Sequence, residues 1–171
     1  HKLCPALNEL CAKVWDEGNE FYPPTSFQIS NIHAGTGADN VIPGEVEVLF
    51  NYRFCTEITE EELRIQTETI LDKYNLDYEL SWKLSGNPFL TPEGSLIDAV
   101  REAIREVAGY ETELSTAGGT SDGRFIAPTG AEVVELGPVN ETIHKLNECV
   151  NVTELDLLSK VYERILNSLL R

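Results

Sequence analysis

The sequence predicts a mixed α/β fold in two parts, an α+β sandwich over residues 1–87 and part of an α/β domain over residues 88–171. The first part has the order helix, strand, strand, helix, strand. One more strand before residue 1 would complete the split βαβ sandwich, a sheet with two helices on one face. The boundary is SGNPFLTP, residues 85–92, whose glycine and two prolines separate two regions of different pattern. Beyond it, helices alternate with short apolar strands, which is typical of an α/β sheet.

The first three elements are predicted from the spacing of apolar residues. Residues 3–15 carry leucines, a valine and a tryptophan at helical intervals, which predicts a helix. Residues 26–33 and 45–54 alternate between two faces, and the glycine-rich residues 34–44 connect them, which predicts an antiparallel pair of strands. The alternation assigns Phe27, Ile29 and Asn31 to one face of the first strand, and Gln28, Ser30 and Ile32 to the other.

A second helix and a third strand complete the first part. Thr59 and Glu62 have the spacing of a capping box, which predicts that a helix begins after Thr59. Residues 77–84 then alternate again, which predicts the third strand. The apolar residues on one face of that strand are Tyr78, Leu80, Trp82 and Leu84.

The second part is predicted to open and close with a helix. Thr91 is the expected N-cap of the first of these, Pro92 its first residue and Gly109 its end. Residues 131–136, AEVVEL, predict a short buried strand. Thr153 is expected to cap the last helix. The residues of that helix predicted to face inward are Leu155, Leu158, Tyr162, Ile165, Leu166 and Leu169.

Charge and composition limit the classes of function. The net charge of −16 argues against nucleic acid or an anionic membrane surface as partner, although a local arginine pocket can still bind a small anion. No apolar run approaches the roughly 20 residues of a membrane span, and no secretory signal is recognisable. The four cysteines form no CxxC pair, so we expect free thiols in a reducing cytoplasm. Because the sequence starts inside a predicted helix, we expect a piece of a longer protein.

Four places in the sequence could carry binding chemistry, and three of them come before the stretch around His144. In GGTSDGRF, residues 118–125, a helix that begins at Thr120 or Ser121 would direct its free N–H groups at an anion, whereas the alternative is a capped turn with glycines kept for geometry. Asn40 lies in the connection between the first two strands, where a flexible loop is the alternative. Arg53 ends the second strand, and its guanidinium suits a carboxylate, with a surface ion pair as the alternative.

The third histidine lies in GPVNETIHKLNECV, residues 137–150, after a short apolar run. A loop at the end of a strand is a frequent place for binding chemistry. A zinc site needs three or four ligands, and no HExxH pattern includes His144 and Glu148. From the residues alone, His144 is therefore a ligand, a base or a histidine that stabilises a loop.

Taken together, the stretches FQISNIHAGTGADNVIPGEVEVLFNYRFCTE, LSGNPFLTP and TAGGTSDGRFIAPTGAEVVELGPVNETIHKLNECV resemble the dizinc aminoacylase and carboxypeptidase family of metallopeptidases. The resemblance runs from end to end. It implies a catalytic α/β domain of zinc-peptidase type, interrupted by a smaller lid domain that forms a homodimer. Residues 1–87 correspond to the lid without its first strand, and residues 88–171 to the C-terminal part of the catalytic domain.

The same resemblance implies roles for individual residues. His144 matches the family's C-terminal zinc ligand. The family's bridging aspartate, most of its other ligands and its general-base glutamate belong to the N-terminal half, so no catalytic base is expected in this chain. The residues that match substrate-binding positions are Arg53, as a carboxylate clamp, with Asn40, Gly119, Thr120 and Asn140.

The implied activity is zinc-dependent amide hydrolysis with two zinc ions per site, cobalt being another metal that such sites accept. The implied substrate is N-succinyl-LL-diaminopimelate, which would yield succinate and LL-diaminopimelate in bacterial lysine and diaminopimelate biosynthesis. The chain by itself is expected to be inactive, because the other half of the site is missing. Two alternatives are a related deacylase that acts on acetylornithine and a non-catalytic dimerisation module.

Overall fold

The computed structural model describes residues 1–117, 121–139 and 141–170 and divides into two compact units, His1–Pro88 and Phe89–Arg171, called unit 1 and unit 2 below. Helices and strands are mixed, as predicted. The assignment of the two units to a lid and a catalytic segment stays a prediction. The elements are α1 (Cys4–Ala12), β1 (Ser26–Ala34), β2 (Val46–Arg53), α2 (Glu60–Lys73), α3 (Ser95–Ala108), α4 (Gly123–Ile126), a 3₁₀ turn (Ala127–Thr129) and α5 (Val152–Leu169).

The two strands of unit 1 form the predicted antiparallel pair, with one irregularity. Ile29 pairs with Phe50 and Asn31 with Leu49, so Ser30 is an extra residue in β1. Such a bulge shifts the alternation of every later side chain by one. Ile32 consequently lies on the face of the sheet that was predicted for Asn31, and Asn31 lies on the other face. The predicted faces of both residues were therefore wrong.

The core of unit 1 lies between the sheet and the two helices. Trp15 packs edge-on against Tyr52, with ring centroids 4.8 Å apart, and so links the end of α1 to β2. The Tyr52 hydroxyl lies 2.7 Å from Thr67 Oγ1 of α2, and burial raises the pKa of Tyr52. The buried apolar residues of this core are Ala6, Leu10, Trp15, Ile58, Leu63, Ile70 and Leu71.

Residues 77–84 do not form the predicted third strand, since the sheet that the structure describes has two strands. The alternation predicted there is present: Tyr78 and Leu80 pack against the core, while their neighbours along the chain are exposed. A strand also needs a backbone partner, and the described residues provide none for this segment. Residues 131–136 likewise form no strand within the described part of the chain.

A partly buried carboxylate fixes the turn that leads from α1 into β1. Oδ1 of Asp16 accepts hydrogen bonds from the N–H of Gly18 at 2.8 Å, the N–H of Thr25 at 3.0 Å and the thiol of Cys55 at 3.4 Å. Burial raises the pKa of Asp16, but these hydrogen bonds outweigh it, so the pKa lies below its ordinary value. Because Cys55 lies two residues beyond the end of β2, the same contacts hold the end of the strand that carries Arg53.

The start of α2 confirms the predicted capping box. The N–H of Glu62 donates to Thr59 Oγ1 at 3.2 Å, and the N–H of Thr59 donates to the Glu62 carboxylate at 2.8 Å. These hydrogen bonds lower the pKa of Glu62, the one from the Thr59 backbone most. Two donors at the helix N-terminus are thereby satisfied.

Replacing Thr59 by alanine should lower the free energy of unfolding of unit 1 by about 0.5–2 kcal/mol, the usual cost of losing an N-cap. The matched control is Thr69→Ala, since Thr69 is exposed within the same helix and alanine is the better helix former there. Urea unfolding followed by far-ultraviolet circular dichroism measures both variants. Equal losses for Thr59→Ala and Thr69→Ala would contradict the role of the capping box.

The same comparison has a pH dependence with a defined sign. Glu62 has a lowered pKa in the fold, so its stabilisation is present above its ordinary pKa of 4.5 and disappears as the pH falls through the lowered value. Thr59→Ala removes the side-chain hydrogen bond to Glu62 and keeps the one from the backbone, so the part of the stability difference that depends on this side-chain bond should shrink as the pH falls below 4.5.

Unit 2 is built around the packing of α3 on α5. The buried residues of this contact are Val100, Ala103, Ile104, Val161 and Ile165. The predicted N-caps of both helices were wrong, whereas the predicted end of α3 at Gly109 is confirmed. The N-cap of α3 is Gly94, and the Glu132 carboxylate accepts the N–H of Leu96 at 3.1 Å. Thr91 instead bonds the backbone of Val133, and Asn151 rather than Thr153 is the N-cap of α5.

The helix α5 is apolar on two faces, only one of which contacts α3. The predicted inward position of Ile165 is confirmed. The exposed apolar face consists of Leu155, Tyr162, Leu166 and Leu169, all of which were predicted to face inward. The Tyr162 hydroxyl donates to the Leu136 carbonyl, and the four side chains remain exposed in the described part of unit 2.

The cysteines agree with the prediction of free thiols. All four cysteines have free thiols, with Cys55 buried and the other three exposed. Across residues 1–117, 121–139 and 141–170, no helix is both long and apolar enough to cross a membrane.

Candidate functional site

Residues 141–149 of unit 2 form a closed loop, called the His144 loop below. Thr142 closes it: its hydroxyl donates to the carbonyl oxygen of Cys149 at 2.8 Å and accepts the N–H of the same residue at 3.0 Å. Inside, the N–H of Lys145 donates to the Thr142 carbonyl at 3.0 Å, and the Lys145 ammonium donates to the Glu141 carbonyl at 2.7 Å. One threonine side chain thus joins the two ends of the loop.

His144 projects from this loop into solvent. Its backbone is left-handed, with φ at 61°, and its N–H donates to the Glu148 carboxylate at 3.3 Å. Asn147 has the same positive φ of 61°, a conformation that asparagine tolerates better than most residues. The imidazole of His144 is exposed and makes no hydrogen bond to another described residue, so its nitrogens are accessible to a ligand.

The roles of Thr142 and Glu148 escaped the sequence-based prediction. In the sequence, these two residues appear only as members of a run of closely spaced polar residues. Within that run, His144 alone suggested a ligand. A hydroxyl that bonds both backbone groups of a residue seven positions away cannot be inferred from spacing, because many side chains could occupy such a polar run. In the structure these two residues hold the loop while His144 remains available.

The donor set of this loop tests whether a metal fits. Zinc in proteins takes three or four nitrogen, sulfur or oxygen ligands. In the described ranges, no three His, Cys, Asp or Glu side chains lie together as a metal site. Glu148 is already bonded to the backbone of His144. The described residues can therefore contribute one imidazole ligand to a zinc ion. A complete site needs further ligands from elsewhere.

The glycine-rich turn differs from the prediction. The helix α4 begins at Gly123 rather than at Thr120 or Ser121, and it has only four residues. Ser121 accepts the N–H of Gly123 at 3.1 Å and donates to the Glu135 carboxylate. A single turn with a carboxylate beside it is a poor anion site. Gly119 and Thr120 lie outside the described residues, as does Asn140.

The two candidate residues of unit 1 lie at opposite ends of the hairpin. Arg53 ends β2 and pairs with Ser26, whereas Asn40 lies in the connection between β1 and β2. Both side chains are exposed. The eight residues of β2 span roughly 23 Å at about 3.3 Å per residue. The fold therefore does not bring Arg53 and Asn40 to one site within unit 1.

Unit 1 also has a groove of about 670 Å³ between α1 and α2. Glu9 on its wall accepts hydrogen bonds from the Lys73 ammonium at 2.7 Å and the Tyr74 hydroxyl at 2.5 Å. The hydrogen bond from Lys73, followed by that from Tyr74, lowers the pKa of Glu9. A carboxylate held by two donors is a weak base, so this groove presents an interhelical ion pair rather than a proton-transfer group.

The family is decided by one comparison. The family model described as peptidase family M20/M25/M40 matches residues 11–168, which include both units and the His144 loop. The chain belongs to peptidase family M20/M25/M40. Membership agrees with the mixed helix and strand content described above.

Three curated relatives in the M20 family match almost the whole chain, and each is named succinyl-diaminopimelate desuccinylase. The protein from Thioalkalivibrio sulfidiphilus is 66% identical over 170 residues, which cover 99% of this chain and 45% of the relative. Those from Nitrosococcus oceani and Methylococcus capsulatus are 64% and 63% identical with the same coverage. The chain thus spans about half the length of these M20 relatives.

Proposed function

We propose that this chain is the C-terminal part of a zinc-dependent amidohydrolase that converts N-succinyl-LL-diaminopimelate into succinate and LL-diaminopimelate. The observation that carries the proposal is the 66% identity, over 99% of the chain, with a relative named succinyl-diaminopimelate desuccinylase. Identity of this extent includes the His144 loop and both units. The reaction would be a step in bacterial lysine and diaminopimelate biosynthesis, and the proposed location is the cytoplasm.

The proposed role of His144 is to ligate one of two zinc ions. Its exposed imidazole and the closed loop beneath it support this role, because a ligand must be both accessible and held in place. Bound zinc polarises an amide carbonyl and lowers the pKa of a bound water. The remaining ligands and the general base would come from the part of the relatives that this chain does not cover.

The proposed substrate-binding residues act on the charged ends of the substrate. Arg53 carries a guanidinium at an exposed strand end, which suits bidentate binding of a carboxylate. Asn140, Gly119 and Thr120 are proposed to bind the succinyl and carboxylate groups on the resemblance alone. No proton transfer is assigned to any of these residues.

Unit 1 is proposed to be the lid, which also forms a homodimer. The opposite positions of Asn40 and Arg53 on the hairpin support a dimer, because one unit 1 cannot present both residues to a single site. In a dimer, Arg53 could serve the site of its own subunit and Asn40 that of the neighbour. Dimerisation would then be part of the function rather than an accessory to it.

Two alternatives follow from the same chain. A related deacylase acting on acetylornithine would have a similar metal site and a different acyl pocket. A non-catalytic dimerisation module would keep unit 1 and make no use of His144. The names of the relatives favour the desuccinylase over both.

Reconstitution tests the proposal. The chain is mixed with a separately produced polypeptide comprising the part of the Thioalkalivibrio sulfidiphilus relative that the chain does not match. We expect no hydrolysis of N-succinyl-LL-diaminopimelate by the chain alone and zinc-dependent hydrolysis by the mixture. Hydrolysis of N-acetylornithine should be at least about tenfold slower, because an acyl pocket that binds a carboxylate loses that contact with an acetyl group.

The controls separate the alternatives. A metal chelator should abolish the activity of the mixture, and added zinc should restore it. Activity of the chain alone would overturn the split site. Faster turnover of the acetyl substrate would favour the related deacylase, and a stable mixture without either activity would favour the module.

A further inference from the structure

The connection between α1 and β1 contains a tight turn, residues 16–25, called the anchor turn below. Gly18 has a left-handed backbone with φ at 68°, and a Cβ added there would lie 2.5 Å from the carbonyl oxygen of Tyr22. A side chain would therefore be strained at this position. The Asn19 amide oxygen accepts the N–H groups of Phe21 and Tyr22, each at 2.9 Å. The anchor turn is thus closed by its own hydrogen bonds.

Two side chains of the anchor turn hold the segment that follows β2. The Asp16 carboxylate accepts a hydrogen bond from the thiol of Cys55, a residue that is 1% exposed. The Asn19 amide nitrogen donates to the hydroxyl of Thr56 at 3.0 Å and to the carboxylate of Glu57 at 2.5 Å. The segment after β2 is therefore fixed by a part of the chain that is distant in sequence.

Arg53 lies next to these contacts. In the register of the hairpin it pairs with Ser26, at the end of the hairpin remote from its connection. The Asp16 carboxylate accepts the N–H of Thr25, the residue before Ser26. Thr25 Oγ1 in turn accepts the N–H of Cys55 at 3.2 Å. The two strands are thus joined by side chains just beyond the pair that contains Arg53.

This arrangement restrains the part of the hairpin that frays most readily. A two-stranded hairpin is marginally stable by itself, and strand ends open at a low cost in free energy. Bidentate binding of a carboxylate requires a guanidinium in a defined position. If the strand end frayed, binding would have to order the backbone as well as the side chain of Arg53, which would weaken it.

We propose that Asp16 is a positioning residue, which fixes the strand end that carries Arg53 and so favours the binding of a substrate carboxylate by Arg53. No contact between Asp16 and the substrate is needed. The inference rests on the proposed function for the role of Arg53, and on the hydrogen bonds alone for the fixed strand end. The alternative is that Asp16 contributes only to the overall stability of unit 1.

The first measurement is amide hydrogen exchange by NMR in the full chain, which does not depend on activity. In Asp16→Ala we expect the amide of Cys55 to exchange about tenfold faster or more, although its own acceptor on Thr25 is retained. Amides in the middle of α2 should keep their original rates. The matched control is Glu17→Gln, which removes the neighbouring exposed carboxylate and should leave the exchange at Cys55 unchanged.

Two results of this measurement would overturn the inference. Unchanged exchange at Cys55 would mean that Asp16 does not fix the strand end. Equal acceleration throughout unit 1, with α2 included, would mean that Asp16 only stabilises the unit as a whole.

The second measurement uses the chain reconstituted with the unmatched part of the Thioalkalivibrio sulfidiphilus relative. Asp16→Ala should raise KM for N-succinyl-LL-diaminopimelate by about threefold to tenfold and change kcat by less than about twofold, because a binding contact is weakened and no proton-transfer group is lost. Thr25→Val removes the hydroxyl that accepts the N–H of Cys55 and should have the same effect through a different contact. Glu17→Gln should leave KM unchanged.

A double-mutant cycle decides whether Asp16 acts through Arg53. Arg53→Lys keeps a cation but loses the planar fork that binds a carboxylate bidentately. In a chain that already carries Arg53→Lys, Asp16→Ala should change KM by less than about twofold. The same increase in KM in both backgrounds would overturn the inference.

The two measurements separate this inference from the proposed function. Faster exchange at Cys55 with an unchanged KM would overturn the inference and leave the proposed function intact. If the mixture with the original chain shows no hydrolysis, the proposed function fails, and the exchange at Cys55 then decides whether Asp16 fixes the strand end.

Discussion

Replacement of His144 by alanine is expected to lower the zinc-dependent hydrolysis of the reconstituted protein by more than about a hundredfold. Loss of residues that merely orient a metal ligand costs about 10–100-fold in affinity or activity, and loss of the ligand itself costs more. The described residues near His144 offer no substitute, because Glu148 is bonded to the loop backbone. Steady-state rates and the zinc content measured by mass spectrometry should fall together.

The control for this variant is His33→Ala. His33 is an exposed histidine at the end of β1 and has no proposed role, so its replacement should leave both rate and zinc content unchanged. A second variant, Thr142→Val, removes the hydroxyl that closes the loop but leaves the imidazole. We expect a zinc affinity about 10–100-fold weaker, with His144 still required. Full zinc occupancy and rate in His144→Ala would show that the histidine only stabilises the loop.

Replacement of Leu10 by alanine should lower the free energy of unfolding of unit 1 by about 2–5 kcal/mol. Leu10 is 1% exposed and lies where α1 packs on the core. Removing a leucine side chain there loses its transfer free energy and leaves a cavity, since packed neighbours relax only in part. Urea unfolding monitored by tryptophan fluorescence measures the loss, because Trp15 belongs to the same core.

The matched control is Val14→Ala. Val14 is 67% exposed just beyond the end of α1, so the loss of its methyl groups should change the free energy of unfolding by less than about 0.5 kcal/mol. A loss of similar size in both variants would mean that α1 does not pack as described. A small loss for Leu10→Ala alone would mean that the site collapses around the smaller side chain.

The features predicted correctly from the sequence depend on nearby residues. The capping box of Thr59 and Glu62 involves neighbouring positions, and the hairpin depends on two alternating runs and one connection. The bulge at Ser30 was missed because alternation by itself cannot reveal one extra residue. The cap of α3 was missed because the acceptor is Glu132, far along the chain from the N–H of Leu96 that it binds.

The strands were predicted from side-chain pattern, but a strand also needs a partner. Residues 77–84 and 131–136 have the apolar pattern and no strand pairing in the described structure. The same limit applies to the candidate site. His144 could be recognised as a loop histidine, but its role as a ligand depended on family resemblance, because the other ligands of a zinc site are not among its neighbours in the described residues.

The closed His144 loop affects the entropy of metal binding. Ordering the backbone of one residue costs about 1–2 kcal/mol, a cost that a flexible loop would pay each time an ion binds. Here the bonds between Thr142 and Cys149, together with that from His144 to Glu148, have already restricted the backbone during folding. An ion that binds His144 would meet a pre-organised ligand. The loss of chain entropy would therefore oppose metal binding less than it would in a flexible loop.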